Sequence, residues 1–203
     1  MVDSRGLFGA ATGIGYCVVA VGTTVVTTLM ASWFRWTENA LSDLGASGEP
    51  TAPLFNGGLI LGGLVGILFA VWLLRDSSSR LQRVGSLLFG VAMGFRTLIG
   101  VFPIGEPLHN TVAIAFFVGV ALALFVYGAG AYVAGQRLNA AVVLVAATLN
   151  PVVWTMWIAF GQSVAPGLAI PELLSTLGLL GWLLFTAARA VGITDPTNSP
   201  VQT

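Results

Sequence analysis

The chain has no lysine, one cysteine and one histidine, and only 8% of its 203 residues are charged. Each shortage excludes something. With eight arginines balanced by eight acidic residues there is no basic field to hold a nucleic-acid backbone, so nucleic acid is not an expected partner. A lone Cys17 cannot form an internal disulfide or a cysteine-based zinc site, and inside an apolar run it reads as a small packing residue. A single histidine leaves any metal site to carboxylates, a donor set suited to harder ions, so no structural zinc is expected. No pattern names a cofactor.

Apolar side chains take the place of charge: 56% of residues are hydrophobic and the mean hydropathy is +0.91. A water-soluble domain of this length could not cover that content with polar surface, so lipid is the expected solvent and membrane lipid the expected neighbour. Crossing roughly 30 Å of hydrocarbon takes about 20 apolar residues. Six windows qualify: 8–30, 54–74, 84–102, 111–134, 140–160 and 173–191. The first is too long for the apolar core of a secretory signal and lacks a small-residue cleavage pattern, so it reads as a retained helix. Backbone groups in lipid must bond internally, and the alternating segments of a barrel are missing, so the expected fold is all-α. It is a polytopic bundle of six transmembrane helices, one integral membrane domain over 1–203 with a short cytoplasmic tail at 192–203.

Six crossings place both termini on one side. With the N-terminus inside, Arg5, Arg75, Arg80, Arg83, Arg137 and Arg189 fall at cytoplasmic ends, Arg35 alone falls outside, and Arg96 lies within the third span. This satisfies the positive-inside rule and predicts N-in/C-in placement in the cell membrane. Small residues at four-residue spacing, Gly9/Gly13, Gly58/Gly62/Gly66 and Ser86/Gly90/Gly94, predict that the first three spans pack together. Trp154, Trp157 and Trp182 read as packing residues or interface anchors. Asn150-Pro151, deep in the fifth span, predicts a kink and an amide seeking a partner inside the bundle. Gly48-Glu49-Pro50 before the second span matches Gly105-Glu106-Pro107 before the fourth, with a fainter echo in Pro171-Glu172-Leu173; duplicated hairpins or plain helix capping would both produce this.

Polar chemistry gathers at the predicted outer level: Glu38, Ser42, Asp43, Asn56, Arg96, Glu106, His109 and Glu172. Arg96 precedes Phe102 by six residues, about 9 Å below the outer end at 1.5 Å per residue, and must snorkel or pair; Asp43 is its expected partner. Histidine is the residue type that exchanges protons near neutral pH, which makes His109 a candidate acid/base group with Asp43, and Ser42 an optional nucleophile. Arg96, Asn56, Glu38, Glu106 and Glu172 are the candidate binding residues. Trp33, Phe34 and Trp36 suit the headgroup layer, and Leu41 with Leu44 fits a short helix lying on the bundle.

The order Leu41-Ser42-Asp43-Leu44-Gly45, then Leu54-Phe55-Asn56 opening an apolar span, then Gly100-Val101-Phe102-Pro103 followed by His109, resembles the prokaryotic membrane family called domain of unknown function 998. The motif residues cover Trp36 to Phe117; beyond them the resemblance rests on hydropathy and helix count. It implies a small multi-helix membrane protein, no established activity, and Ser42, Asp43, Asn56, Pro103 and His109 as positions of interest without roles. Three readings stay open on the sequence: a protein that binds or modifies a lipid-like molecule at the outer leaflet, a structural or accessory membrane protein, and a small-solute transporter. Whether it is an enzyme, and in what oligomeric state it works, the residues do not say.

Overall fold

The computed structural model describes residues 3–193. Within them lie six long helices, α1 (Ser4–Met30), α2 (Ala52–Asp76), α3 (Arg80–Val101), α4 (His109–Val133), α5 (Arg137–Ala159) and α6 (Ala169–Ala190), with no strand among the described residues. Each helix is long and apolar enough to cross a membrane, and the protein is a multi-pass, all-helical membrane protein. The expected tail at 192–203 lies, from residue 194 on, outside the described residues.

The helices run past the apolar windows because polar residues cap them. The Asp3 carboxylate accepts the Gly6 N–H at 2.6 Å, and the Ser79 hydroxyl accepts the Gln82 N–H at 3.1 Å. At the other end, α4 and α6 close in the same way. Gly135 and Gly192 each take φ 78°, and the following N–H groups, of Gln136 and Ile193, reach back to the carbonyls of Ala131 and Ala188 at 2.9 and 3.0 Å. Only glycine enters that left-handed turn without steric cost.

Consecutive helices pack against each other, and α6 packs back against α1, so the six close into a ring in chain order. Glycines set the spacing on two of the predicted seams. Gly9 and Gly13 of α1 face Trp72 and Phe69, Gly58 of α2 faces Thr23, and Gly62 and Gly66 face Arg96 and Met93 of α3. The third seam is a correction: a Cβ at Gly90 would reach only the Ala70 Cβ at 3.4 Å, and one at Gly94 would meet nothing within 4 Å. The close approach of α3 to α4 uses Gly85 against Tyr127 and Gly130 against Gln82 instead. Helices α1 and α3 each contact α2 but have no substantial interface with each other.

An aromatic cluster fills the middle of the ring. Trp182 packs edge-on against Phe89 and Phe69, at 5.3 and 5.8 Å between ring centres, and Tyr127 lies 5.8 Å away. Pro151 is accommodated inside α5, and the buried Asn150 amide donates to the Phe117 carbonyl at 3.2 Å, the partner its position called for. Val18, Ile114, Val118 and Val145, by contrast, are among the most exposed side chains, as expected of a lipid-facing surface.

The ring has two different ends. The start of α1, the end of α6 and the 77–79 and 134–136 connections lie at one; the longer 31–51, 102–108 and 160–168 connections lie at the other. At this second end the two Gly-Glu-Pro segments adopt one backbone course. Gly48 and Gly105 take φ 94° and 97°, Glu49 and Glu106 donate to the carbonyls of Ala46 and Pro103, and Ala52 and His109 donate to those of Glu49 and Glu106. Glycine at the third position of a turn with positive φ is the requirement of a type II turn. Pro171 stands differently, inside the first turn of α6 rather than before it.

Candidate functional site

The second end of the ring encloses a cavity of about 350 Å³, a volume typical of small-molecule sites. Its walls come from α1, α2, α3, α4 and α6, and its roof from Trp36, Leu41 and Ser42. The roof is a 3-10 turn over Leu41–Gly45, and short polar bonds hold it in place. Asp43 accepts from the Ala40 N–H at 2.9 Å and from the Asn39 amide at 3.1 Å. The Thr51 hydroxyl donates to the Leu44 carbonyl at 2.6 Å, and the Asn56 amide donates to the Gly45 carbonyl at 2.9 Å. Gly45 sits so close to Asn56 that a Cβ there would collide with the amide oxygen.

The loop before α6 braces the same roof. Gly167 and Ala169 donate to the carbonyls of Thr37 and Asn39, both at 2.9 Å, and a side chain at Gly167 would strike the Glu38–Asn39 backbone. This docking starts α6 at Ala169, ahead of its apolar window, and brings the Glu172 carboxylate within 2.7 Å of the Leu41 N–H. On the opposite wall, His109 opens α4 and its Nδ1 lies 2.8 Å from the Phe102 carbonyl. A carbonyl can only accept, so Nδ1 carries the proton and Nε2 is the nitrogen left for the cavity.

Arg96 forms the deepest polar point. It is 8% exposed, and its guanidinium lies over the rings of Tyr16 and Phe116, at 5.1 and 5.8 Å from their centres. Nε has no hydrogen-bond partner, and no carboxylate among the described residues forms an ion pair with the group. The expected Arg96–Asp43 pair does not form, because Asp43 spends its carboxylate on Ala40 and Asn39 within its own turn. Gly62 provides the room for the side chain: a Cβ there would stand 3.0 Å from Nε.

Of the eight polar residues that the sequence places at this level, Ser42, Arg96, His109 and Glu172 line the cavity. Asp43 and Asn56 hold the roof from behind it, and Glu38 and Glu106 are exposed outside it. The Ser42 hydroxyl makes no hydrogen bond among the described residues. Sequence reasoning missed Thr24, Thr28 and Thr176, which also line the cavity, and the Tyr16 and Phe116 faces around Arg96. The threonines left a legible signal, since Thr23/Thr27 and Thr24/Thr28 form polar pairs at helical spacing in an apolar span.

The cavity opens sideways. Val21 and Val25 of α1 and Leu177 of α6 line it and are yet 46%, 48% and 47% exposed on the outer surface of the ring. Toward the termini the two helices are in tight contact, with Gly6 against Ala190, Gly13 against Leu183 and Ala187, and Cys17 Sγ 3.8 Å from the Leu180 carbonyl. Beyond Leu180, residues of both helices line the cavity and are partly exposed.

The roof turn Leu41–Gly45 and the Asn56 amide that holds it belong to the sequence motifs. A family model described as a protein of unknown function (DUF998) matches residues 14–189. The chain belongs to the DUF998 family. No curated protein and no solved structure matches it. The DUF998 match spans all but the first turns of α1 and the last residue of α6, so it covers every wall of the cavity as well as its roof.

Proposed function

We propose that this DUF998 protein binds a lipid-like molecule from the outer leaflet of the cell membrane, its termini in the cytoplasm and its cavity at the outer face. Arg96 carries the reading: a buried guanidinium without a counter-ion among the described residues, facing a cavity lined by α1 and α6 residues that are partly exposed. An intramembrane cation is costly unless something pairs with it, and a headgroup phosphate reaching in between these helices supplies the partner while its chain stays against Val21, Val25 and Leu177. Charge-assisted bonds from a guanidinium to phosphate are among the stronger polar contacts. The aromatic packing below Arg96, with Trp182 only 1% exposed, favours binding from one leaflet over passage through the ring. The six arginines at the termini end and the single Arg35 at the other support the orientation.

Native mass spectrometry of the purified protein, released from detergent in the presence of phosphatidylglycerol or uncharged diacylglycerol, tests this. Retention of the phospholipid but not of diacylglycerol is expected, with occupancy falling about tenfold in Arg96→Gln, the scale of one lost charge-assisted contact. Leu177→Trp, which blocks the mouth and leaves Arg96 in place, is expected to lose the lipid as well. Equal occupancy in all three proteins would remove the cavity from consideration.

A further inference from the structure

An arginine and a glutamate share the cavity without meeting. Arg96 comes from α3 and Glu172 from α6, which stand opposite one another in a ring closed in chain order. Each is held on its own wall. The guanidinium is fixed between the Tyr16 and Phe116 rings and above Gly62. The Glu172 carboxylate is anchored through Oε2 to the Leu41 N–H at 2.7 Å, which leaves Oε1 without a donor among the described residues. Opposite charges in a low-dielectric space attract strongly, and flexible side chains of this length pair when the walls permit. These walls keep them apart, with the cavity between.

We propose that the ligand is a zwitterionic phospholipid with a primary amine, its phosphate on Arg96 and its ammonium on Glu172. This rests on the cavity-binding reading and narrows it. A purely anionic headgroup would satisfy Arg96 and set a second negative charge near Glu172. A headgroup carrying both charges completes both walls. The primary ammonium brings three N–H donors for the Glu172 oxygen and the Ser42 hydroxyl, which lines the same cavity and makes no hydrogen bond among the described residues. A quaternary ammonium of the same charge brings none, so the cavity discriminates by hydrogen bonding as well as by charge.

The test compares phosphatidylethanolamine, phosphatidylcholine and phosphatidylglycerol of identical chains as competitors for the detergent-purified protein, read by native mass spectrometry. Glycerophosphoethanolamine, the same headgroup without chains, is a fourth competitor. In the wild type, phosphatidylethanolamine is expected to win by about tenfold over either other lipid, the ratio for one charge-assisted bond. Glu172→Gln keeps an oxygen for the Leu41 N–H and removes only the charge; it is expected to lose the preference while still binding phosphatidylglycerol. Phosphatidylglycerol or phosphatidylcholine binding as tightly as phosphatidylethanolamine, or an unchanged preference in Glu172→Gln, overturns the zwitterion assignment and leaves the cavity reading standing. Competition by glycerophosphoethanolamine at equal concentration overturns the lipid as the source of the headgroup. Binding of none of the lipids overturns both.

Discussion

At the scale of single residues, the interior is notable for polar atoms left without partners. Tyr16 is fully buried, and its hydroxyl makes no hydrogen bond among the described residues, although its ring supports the Arg96 guanidinium. Tyr16→Phe keeps the ring and removes the orphan oxygen, so it is expected to stabilise the protein by about 1 kcal/mol, seen as a higher unfolding midpoint in detergent by scanning fluorimetry. A lower midpoint would mean that the hydroxyl has a partner inside the folded protein. Trp182 poses the same question at the centre of the aromatic cluster, where its ring N–H is likewise unpartnered. Trp182→Phe retains most of the packing, whereas Trp182→Ala opens a cavity costing about 3–5 kcal/mol. The alanine variant should therefore unfold far more readily than the phenylalanine one in the same assay. The sequence singled out Trp182 as a packing residue, but which aromatic rings it meets depends on four different helices.

At the scale of elements, the roof turn Leu41–Gly45 depends on side chains outside itself. Thr51, 2% exposed, holds the Leu44 carbonyl, and Asn56 holds that of Gly45. Thr51→Val preserves shape and removes the donor, at a cost of about 1 kcal/mol confined to the roof. Hydrogen exchange should quicken across residues 40–46 and stay unchanged in α2 and α3; equal acceleration throughout would show that the roof is not a separate unit. The helices themselves were legible from hydropathy, but their ends were not. Windows beginning at 84, 140 and 173 became helices beginning at Arg80, Arg137 and Ala169, because helices continue through charged residues wherever caps and neighbouring loops satisfy the backbone. For α6 the decisive bond runs to Asn39, more than a hundred residues away.

At the scale of the whole molecule, the arginine distribution predicts how the ring stands in the membrane. Ser47 and Ala134 are exposed at opposite ends of the ring, and Cys17 is the single cysteine. In a Cys17→Ala background, Ser47→Cys is expected to react with a membrane-impermeant maleimide on intact cells, and Ala134→Cys only after permeabilisation. The reverse pattern would turn the cavity toward the cytoplasm and redirect the choice of lipid to the inner leaflet.

The sequence by itself determined the solvent, the number of crossings and the family, because each follows from local composition: hydrocarbon requires long apolar helices, and short motifs mark their loops. It also brought forward polar residues that line the cavity, Ser42, Arg96, His109 and Glu172, since ionisable and hydroxyl groups are conspicuous where few exist. Tertiary structure alone decided which of them share a cavity and which only build its frame. Asp43 satisfies its own turn, Arg96 is left without a counter-ion among the described residues, and Glu172 stands across from it because the ring closes α6 onto α1. Pairing is settled by distances between helices far apart in the chain, and hydropathy carries no information about those distances.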